Sequence, residues 1–404
     1  MSSPFHPRPA HTYLLSSPLL GLLSPIHSLL LHLRGPPQPL PPSGHGHGPI
    51  RVVCISDTHT QRWEDVPDGD LLIHAGDLSN DGSVREIQEA VDWLKSLPHR
   101  QKVVVCGNHD SFFDWRSRRL EDKEPRGGDG GGVGERDGLG EDKDIGEVRL
   151  SASTMTASIH SLEDYDYERD INRIDWGDIH YLQHSSVTLT FPPSSSTSTS
   201  TTSTPSTPST TKPRTLTIYG APQIPSLVPF GPEHAFTYPP HHDAWSSTVP
   251  PSTDILITHT PPAYHRDLSP VFSAGCPFLL SEIWRVRPAL HVFGHVHAAY
   301  GIEPVFWDEA QRAWERLCER RRVWLPAQGK RTSGIMMYIT GILRDLVDVQ
   351  GWVDAVRVVV YGVVGVVWAR VWGGENRGCG WMVNAACMYR NSGRLGNEPV
   401  VVEL

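Results

Sequence analysis

Aspartate and histidine recur at the ends of short apolar runs in this chain of 404 residues. The first run, Ile50–Ile55, is followed by Ser56 and then by Asp57, Thr58 and His59. One Asp-x-His triplet says little, because a surface turn produces the same letters. Several such units in one chain indicate a site, since loops at strand ends often carry chemistry that rigid strands position.

Four later units repeat this arrangement, each as an apolar run followed by Asp, Asn or His. They are Asp70–Ala75 before Gly76 and Asp77; Lys102–Cys106 before Gly107, Asn108, His109 and Asp110; Asp254–Thr258 before His259; and Ala289–Phe293 before Gly294, His295 and His297. Carboxylate, amide oxygen and imidazole together suit Mn, Fe or Zn. The sequence therefore predicts a metal site at the strand ends.

Seven of these residues are the candidate metal ligands: Asp57, His59, Asp77, Asn108, His259, His295 and His297. Two divalent ions about 3.5–4 Å apart can clamp a phosphorus centre, and one carboxylate has to bridge them. Asp77 is the candidate bridge, because Gly76 allows a tight backbone turn before it. Two such ions would hold a hydroxide between them at neutral pH for attack on the phosphorus.

His109 follows the candidate ligand Asn108 and is the candidate general acid for the leaving-group oxygen. Asp110 either orients this histidine or caps the helix that follows. Arg266 is either a phosphate clamp or a surface residue. His74 and His291 lie inside apolar runs, so we expect them in the core and not at the metals.

Helical periodicity separates the apolar runs. Ser83–Leu97 repeats apolar residues along one face, and Pro277–Val286 precedes another predicted strand. Both fit crossovers between parallel strands. Thr215–Tyr219 and Trp381–Ala386 are further predicted strands. This alternation indicates an α/β fold.

Composition narrows the function classes. The net charge is −9, and no long basic stripe appears, which argues against general nucleic-acid binding. The chain has 6 cysteines without CxxC spacing, so we interpret them as free thiols of a cytoplasmic protein.

The sequence divides into an arm at 1–49, with a Pro/Gly linker, and a catalytic domain at 50–404. Three insertions are expected in that domain, at about 116–147, 192–213 and 303–373. The first is charged and Gly-rich, and the second is a Ser/Thr/Pro tract. Such surface loops lengthen a chain at little cost in stability.

Two segments are apolar enough to contact a membrane. Residues 13–33 are Leu-rich but contain Pro18 and Pro25, and we favour a disordered or loosely docked arm there. Residues 351–373 have only a short uncharged centre, with Trp and Arg on both sides, which suits an interfacial helix. The alternative is a helix packed on the protein's own body. Peripheral membrane association through either segment stays open.

The ordered motifs resemble those of the calcineurin-like metallophosphoesterases. The resemblance rests on Asp57-Thr-His59, Gly76-Asp77, Gly107-Asn-His-Asp110, His259 and Gly294-His-Val-His297, and it spans residues 50 to about 300 with a last strand near 381–404. Ile218–Pro222 and Thr258–Pro262 further resemble the small metallophosphoesterase-domain proteins of animals and fungi.

The resemblance implies a four-layer α/β/β/α sandwich with two central mixed sheets. It implies one metal on Asp57, His59, Asp77 and His297, and a second on Asp77, Asn108, His259 and His295. It implies hydrolysis of a phosphomonoester or a phosphodiester, with 2′,3′-cyclic nucleotides a substrate seen among animal relatives. We favour the phosphodiester. Some of those relatives lack the histidine that matches His295 and are poor enzymes, so its presence here favours activity. The alternatives are a phosphomonoesterase or protein phosphatase, and a weakly catalytic, membrane-associated scaffold that binds metal.

Overall fold

The structure is a computed structural model, and it describes residues 16–38, 40, 48–118, 170–192, 213–226, 235–268, 272–322, 334–374, 378–390 and 392–404. Most of the expected insertions at 116–147 and 192–213, and residues 1–15 of the arm, lie outside the described residues.

Strands form at each of the predicted apolar runs, and further strands form that the sequence did not predict. They are β1 (Arg51–Ile55), β2 (Leu71–Ala75), β3 (Gln101–Val105), β4 (Ile179–Tyr181), β5 (Ser185–Phe191), β6 (Arg214–Ala221), β7 (Ile224–Pro225), β8 (Thr237–Tyr238), β9 (Ile255–Thr258), β10 (Leu290–Phe293), β11 (Gly301–Phe306), β12 (Cys379–Asn384) and β13 (Val400–Glu403). The predicted strand boundaries are within about two residues of these.

Two mixed sheets contain the site-bearing strands. The first has the order β13-β1-β2-β3-β4, and the second has the order β11-β12-β10-β9-β6-β5. Strands β1, β2 and β3 run parallel, as do β9, β10 and β12, while β13, β11 and β5 are antiparallel to their neighbours. Parallel neighbours bring their carboxyl ends to one edge, where their loops can share a site.

The helices are α1 (Pro18–Arg34), α2 (Val84–Ser96), α3 (Pro277–Val286), α4 (Glu309–Arg321), α5 (Gly334–Val347) and α6 (Val349–Arg370). Helix α2 begins at the N-cap Ser83, whose side chain accepts from the Glu86 N–H, and it buries Ile87, Val91 and Leu94. Helix α3 has the predicted bounds, with Pro277 in its first turn.

Three apolar clusters define the layers. Val52 and Ile73 of the first sheet pack against Ile257 and Val292 of the second. The outer face of the first sheet packs on α2, and the outer face of the second packs on α3 and α4. The predicted four-layer α/β/β/α sandwich with two mixed sheets is therefore confirmed.

The expectation of a disordered or loosely docked arm is wrong for residues 18–34. They form α1, which buries Leu19, Leu20 and Leu23 in the same core as the second sheet. Ser17 caps the helix, and Pro18 stands where no N–H partner is needed. Packing outweighs the local cost of Pro25 inside the helix, because tertiary contacts supply most helical stability.

The third expected insertion is structured. Its first residues belong to β11, which pairs with β12, and α4 then packs on the outer face of the second sheet. Most of the apolar segment at 351–373 forms helix α6, which packs against both α4 and α1. By length and composition alone, α6 could cross a membrane.

Candidate metal centre

The five strand-end loops converge at one edge of the sandwich. Asp57, Asp77 and Asn108 follow β1, β2 and β3 of the first sheet, and His259 and His295 follow β9 and β10 of the second. The His259 Nδ1 lies 2.9 Å from the Ala75 carbonyl oxygen, so this histidine bridges the two sheets. All seven predicted ligands lie in this region.

Two glycines allow the loops to approach each other. A Cβ on Gly107 would collide with the Asp77 carboxylate, and a Cβ on Gly294 would collide with the Asp57 carboxylate. Glycine is the residue that permits such contact between backbone and side chain. These positions explain why Gly precedes the polar residues after β3 and β10.

Four of the seven predicted ligands have left-handed backbone conformations. Their φ angles are 52° at Asp57, 45° at His59, 55° at Asp77 and 66° at His295. Each costs of the order of 1 kcal/mol or more for a non-glycine residue and persists only where the surroundings enforce it. Backbone strain concentrated in one cluster of Asp and His residues is typical of a functional site.

The side chains form three overlapping groups in which candidate ligand atoms lie within 4.8 Å of one another. The groups are Asp57, His59 and His297; His59, Asp77 and His109; and Asp77, His259 and His295. The Asp77 carboxylate lies 3.7 Å from His59 Nε2 and 3.4 Å from His259 Nε2, so it stands between the two outer groups. His259 Nε2 is also 3.0 Å from the Asn108 amide oxygen.

Backbone carbonyls orient three of the imidazoles. The Nδ1 atoms of His259, His297 and His109 lie 2.9, 2.7 and 2.8 Å from the carbonyl oxygens of Ala75, Arg390 and Asn80. A carbonyl can only accept, so each Nδ1 carries the proton. The Nε2 atoms of His259 and His297 face the other candidate ligands, 3.0 Å from the Asn108 amide oxygen and 3.1 Å from Asp57 Oδ1. Metal-bound histidines usually have an anchor of this kind on the second ring nitrogen.

The donor set fits divalent cations. His59 Nε2 is buried and has no hydrogen-bond partner, although His59 belongs to two of the three groups of candidate ligand atoms. Two buried carboxylates, one amide oxygen and imidazole nitrogens converge there without a thiolate. Such mixed nitrogen and oxygen ligands suit Mn, Fe or Zn.

Charge coupling in the ring is strong. Burial would raise the pKa of Asp57, but the hydrogen bond and charge of His297 hold that pKa well below its usual range. Burial likewise opposes ionisation of Asp77, and the His259 charge lowers its pKa. Burial lowers the pKa of His259, yet the Asp77 charge raises it to about 9. The carboxylates are thus ionised and ready to bind cations.

His109 stands at the margin of the ring. Its backbone N–H donates to Asp77 Oδ1 at 2.9 Å, and its imidazole makes an edge-to-face contact with the imidazole of His59. Burial lowers its pKa, but Asp77 and the Asn80 carbonyl together raise it above the ordinary value. Asn80, which the sequence did not single out, is thus what orients this imidazole.

Asp110 does not orient His109, contrary to one of our expectations. Its carboxylate accepts from the backbone N–H groups of Leu78, Ser79 and Gly107. No capping hydrogen bond runs from its side chain to the 3₁₀ turn that follows. Asp110 therefore ties the β2 loop to the β3 loop, a role that neither alternative anticipated.

The three remaining candidates lie in structural settings. His74 is buried, accepts from the Gly76 N–H and lies 3.0 Å from the Thr58 hydroxyl. His291 is buried 2.8 Å from the Thr258 hydroxyl. The Arg266 guanidinium contacts the Ile302 carbonyl and Glu303, so it supports β11.

Comparisons with known proteins follow this geometry. The family model for calcineurin-like phosphoesterases matches residues 50–299. Over 289 residues the chain is 29% identical to human metallophosphoesterase domain-containing protein 1, which covers 70% of this chain and 69% of that protein. Over 280 residues it is 31% identical to the probable rhamnogalacturonate lyase C of Emericella nidulans, covering 68% of this chain but only 20% of that protein.

Among solved structures, the chain is similar to the protein TT1561 of Thermus thermophilus. The TM-score is 0.31 at 13% identity, over 64% of this chain and 86% of that one.

Proposed function

Because this chain belongs to the calcineurin-like phosphoesterases, hydrolases that act on phosphoester bonds, we propose that it hydrolyses a small phosphodiester with two divalent metal ions. A cyclic nucleotide is the substrate class that we favour. The observation that carries the proposal is the sharing of Asp77 between two groups of ligand atoms at the meeting point of the sheets.

Each ion would have its own side of the ring. Asp57, His59, Asp77 and His297 would hold one, and Asp77, Asn108, His259 and His295 would hold the other. The imidazole anchors at Ala75 and Arg390 support this assignment, because they leave the Nε2 atoms of His259 and His297 to face the ring. When bound, two such ions lower the pKa of a water and neutralise the phosphate oxygens.

His109 would donate a proton to the leaving oxygen. Its Nδ1–H is engaged with Asn80, so an imidazolium proton on Nε2 is the one available for transfer. An alkoxide leaving group needs such a proton, whereas a nitrophenolate leaves without help. This arrangement supports a substrate with a poor leaving group, such as a nucleotide or another alkyl diester.

The test is hydrolysis of bis(p-nitrophenyl) phosphate and p-nitrophenyl phosphate with added Mn²⁺, together with a 2′,3′-cyclic nucleotide. Wild type is compared with Asp77→Asn, His109→Ala and the exposed control His242→Ala. We expect diester turnover that Asp77→Asn abolishes and His242→Ala preserves. His109→Ala should lose more activity on the cyclic nucleotide than on the activated nitrophenyl ester.

The two alternatives give different results. A p-nitrophenyl phosphate rate above the diester rate would favour the phosphomonoesterase or protein phosphatase. Full metal occupancy without turnover of any of the three substrates would favour the non-catalytic scaffold. Metal content measured on the same samples distinguishes a metal-loaded but inactive protein from one that has bound no metal.

A further inference from the structure

Exposed large hydrophobic residues are concentrated on three helices. Apart from Trp115 and Tyr389, every such residue in the described part of the chain lies on α1, α5 or α6, or directly after α6 at Val371 and Trp372. The three helices are neighbours, because α1 packs on both α5 and α6. We call the combined outer surface of α1, α5 and α6 the apolar face. So many exposed large hydrophobic residues on neighbouring helices are unusual on a soluble monomer.

Helix α6 turns its apolar residues outward, the reverse of a helix on the surface of a soluble protein. It turns Asp354, Gly362 and Gly365 toward the protein, where all three are buried. It exposes valines such as Val356 and Val360, and the charged or amide side chains that it exposes before Arg370 are Gln350 and, in part, Arg357. A surface helix in water does the opposite and buries its apolar stripe.

Helix α5 shows the same inversion. Asp345 is buried, where it accepts from the Ser17 hydroxyl and pairs with Arg321, while Leu346 and Val347 are exposed. Helix α1 is apolar on both sides: Leu23 is in the core, and Leu22, Ile26, Leu29 and Leu33 form an outer stripe with helical spacing. Such an exposed apolar stripe needs a partner surface or lipid, although Ser28 and His32 are also exposed on this helix.

We propose that the apolar face inserts into the interfacial layer of a lipid bilayer and docks the protein on the membrane with α6 in the membrane plane. The exposed aromatic residues favour lipid over other partners. Tyr338, Trp352, Tyr361, Trp368 and Trp372 are all more than one third exposed. Tyr and Trp are enriched where a bilayer meets water.

The charges of this region indicate that docking is driven by apolar area. Arg316 pairs with Asp354 at 3.0 Å, Arg321 with Asp345 at 2.6 Å, and Arg34 with Asp308. Within each of these pairs the two charges neutralise each other. Arg357, which also contacts Asp354, and the exposed Arg370 are further cations of α6. Attraction to anionic headgroups, which salt would screen, therefore adds to a docking that apolar area drives.

The contacts of α6 place it in the plane of the bilayer and not across it. At one end Asp348 pairs with Arg321 of α4, and at the other the Arg370 guanidinium donates to the Leu33 carbonyl of α1. Helix α4 is itself packed in the core through Ala313 and Leu317. A bilayer-spanning α6 would break these contacts or draw the second sheet into lipid.

In-plane docking keeps the metal centre accessible to water. The first turn of α6 is near Arg321, whose neighbour Arg322 contacts Gly275 just before α3. Helix α3 begins at the carboxyl edge of the second sheet, and the last turn of α6 lies near Asp308, beyond the opposite end of β11. Helix α6 therefore runs along the flank of the sandwich, and the site opens beside the docking face.

The experiment is flotation of the full chain with phosphatidylcholine vesicles, at about 0.1 M and about 1 M salt. We expect wild type to float at both salt concentrations, without any need for anionic lipid. The variant Val356→Glu/Val360→Glu/Val363→Glu should lose binding at least tenfold, since acidic residues are strongly disfavoured in lipid. Turnover of a soluble diester, or circular dichroism, checks that the variant is folded.

A matched control and a depth probe complete the test. Trp115→Glu removes an exposed aromatic residue outside the apolar face and should float like wild type. The six native cysteines are buried, so Val360→Cys can be labelled selectively with an environment-sensitive dye, whose emission should shift to the blue on binding vesicles.

Two results would overturn the proposal. Wild type that stays with the soluble fraction in both salts would do so. So would a dimer in solution that the triple variant dissociates while neither protein floats, because the apolar face would then be covered by a second copy.

Discussion

Two buried clusters of histidine and carboxylate lie in the same molecule and behave differently. One is the metal centre. The other, which we call the His265 cluster, joins His265 to Glu303 of β11 and Glu315 of α4 at 2.6 and 3.0 Å. Residue types and burial are alike in the two clusters. The clusters differ in which hydrogen bonds the imidazole nitrogens and carboxylate oxygens make.

The imidazole nitrogens and carboxylates of the His265 cluster find their hydrogen-bond partners within the protein. Both imidazole nitrogens donate to carboxylates, and Glu315 also accepts from the Trp284 indole and the Gln311 amide. In the metal centre the Nδ1 atoms of His259 and His297 are anchored to carbonyls, and His59 Nε2 has no hydrogen-bond partner. A closed network stabilises a fold, whereas a cluster with an unsatisfied buried nitrogen such as His59 Nε2 is suited to binding cations.

The largest contrast should come from Asp77→Asn. Loss of the shared carboxylate should lower kcat/KM by at least about 10³-fold, because a bound cation contributes several kcal/mol to stabilising the transition state. The thermal stabilisation that Mn²⁺ gives wild type should also disappear. Parallel activity assays and melting curves with and without metal measure both effects. A variant that still gains stability from Mn²⁺ would argue against a shared ligand.

Glu315→Gln should show the reverse pattern. It leaves the buried His265 imidazolium with one carboxylate fewer, and breaking a buried ion pair costs about 3 kcal/mol or more. Denaturant unfolding should report that loss, while metal affinity and kcat stay near wild type. Glu319→Gln on the exposed side of the same helix is the control and should change stability by less than about 0.5 kcal/mol. An unstable control would place the effect in α4 and not in the cluster.

Metal binding should release protons at the metal centre. The pKa of His259 is raised to about 9, so its Nε2 proton has to leave before a cation can bind. Apparent affinity for Mn²⁺ should therefore fall about tenfold for each pH unit below that value, for this one proton. Titration calorimetry in buffers of different ionisation enthalpy counts the released protons. Binding without proton release would show that His259 either is neutral before the metal binds or is not a ligand.

The strands and the polar residues after them could be predicted from sequence because both have local signatures. A run such as Ile50–Ile55 indicates a buried strand, and Asp57 and His59 follow it directly. The anchors of the imidazoles had no such signal. They are backbone carbonyls of Ala75, Asn80 and Arg390, and any residue type carries a carbonyl.

The His265 cluster was missed for a related reason. Its members lie on a loop, a strand and a helix far apart in sequence, so no spacing connects them. Glu315 sits among the charged residues of α4 and looks like one more solvated side chain. The inversion of α5 and α6 was likewise hidden, because periodicity shows that a helix has two faces but not which one the protein covers.

The last contrast concerns the pH dependence of stability. Burial lowers the pKa of His265, but Glu303 and Glu315 raise it to about 10, above its ordinary value of 6.5. A raised folded-state pKa means that the stabilisation is complete below pH 6.5 and is lost as pH rises through about 10. Unfolding measured across that window should show wild type losing stability relative to His265→Gln, which has no proton to lose. Parallel curves for the two proteins would mean that the cluster is held by neutral hydrogen bonds, and the contrast with the metal centre would then rest on geometry alone.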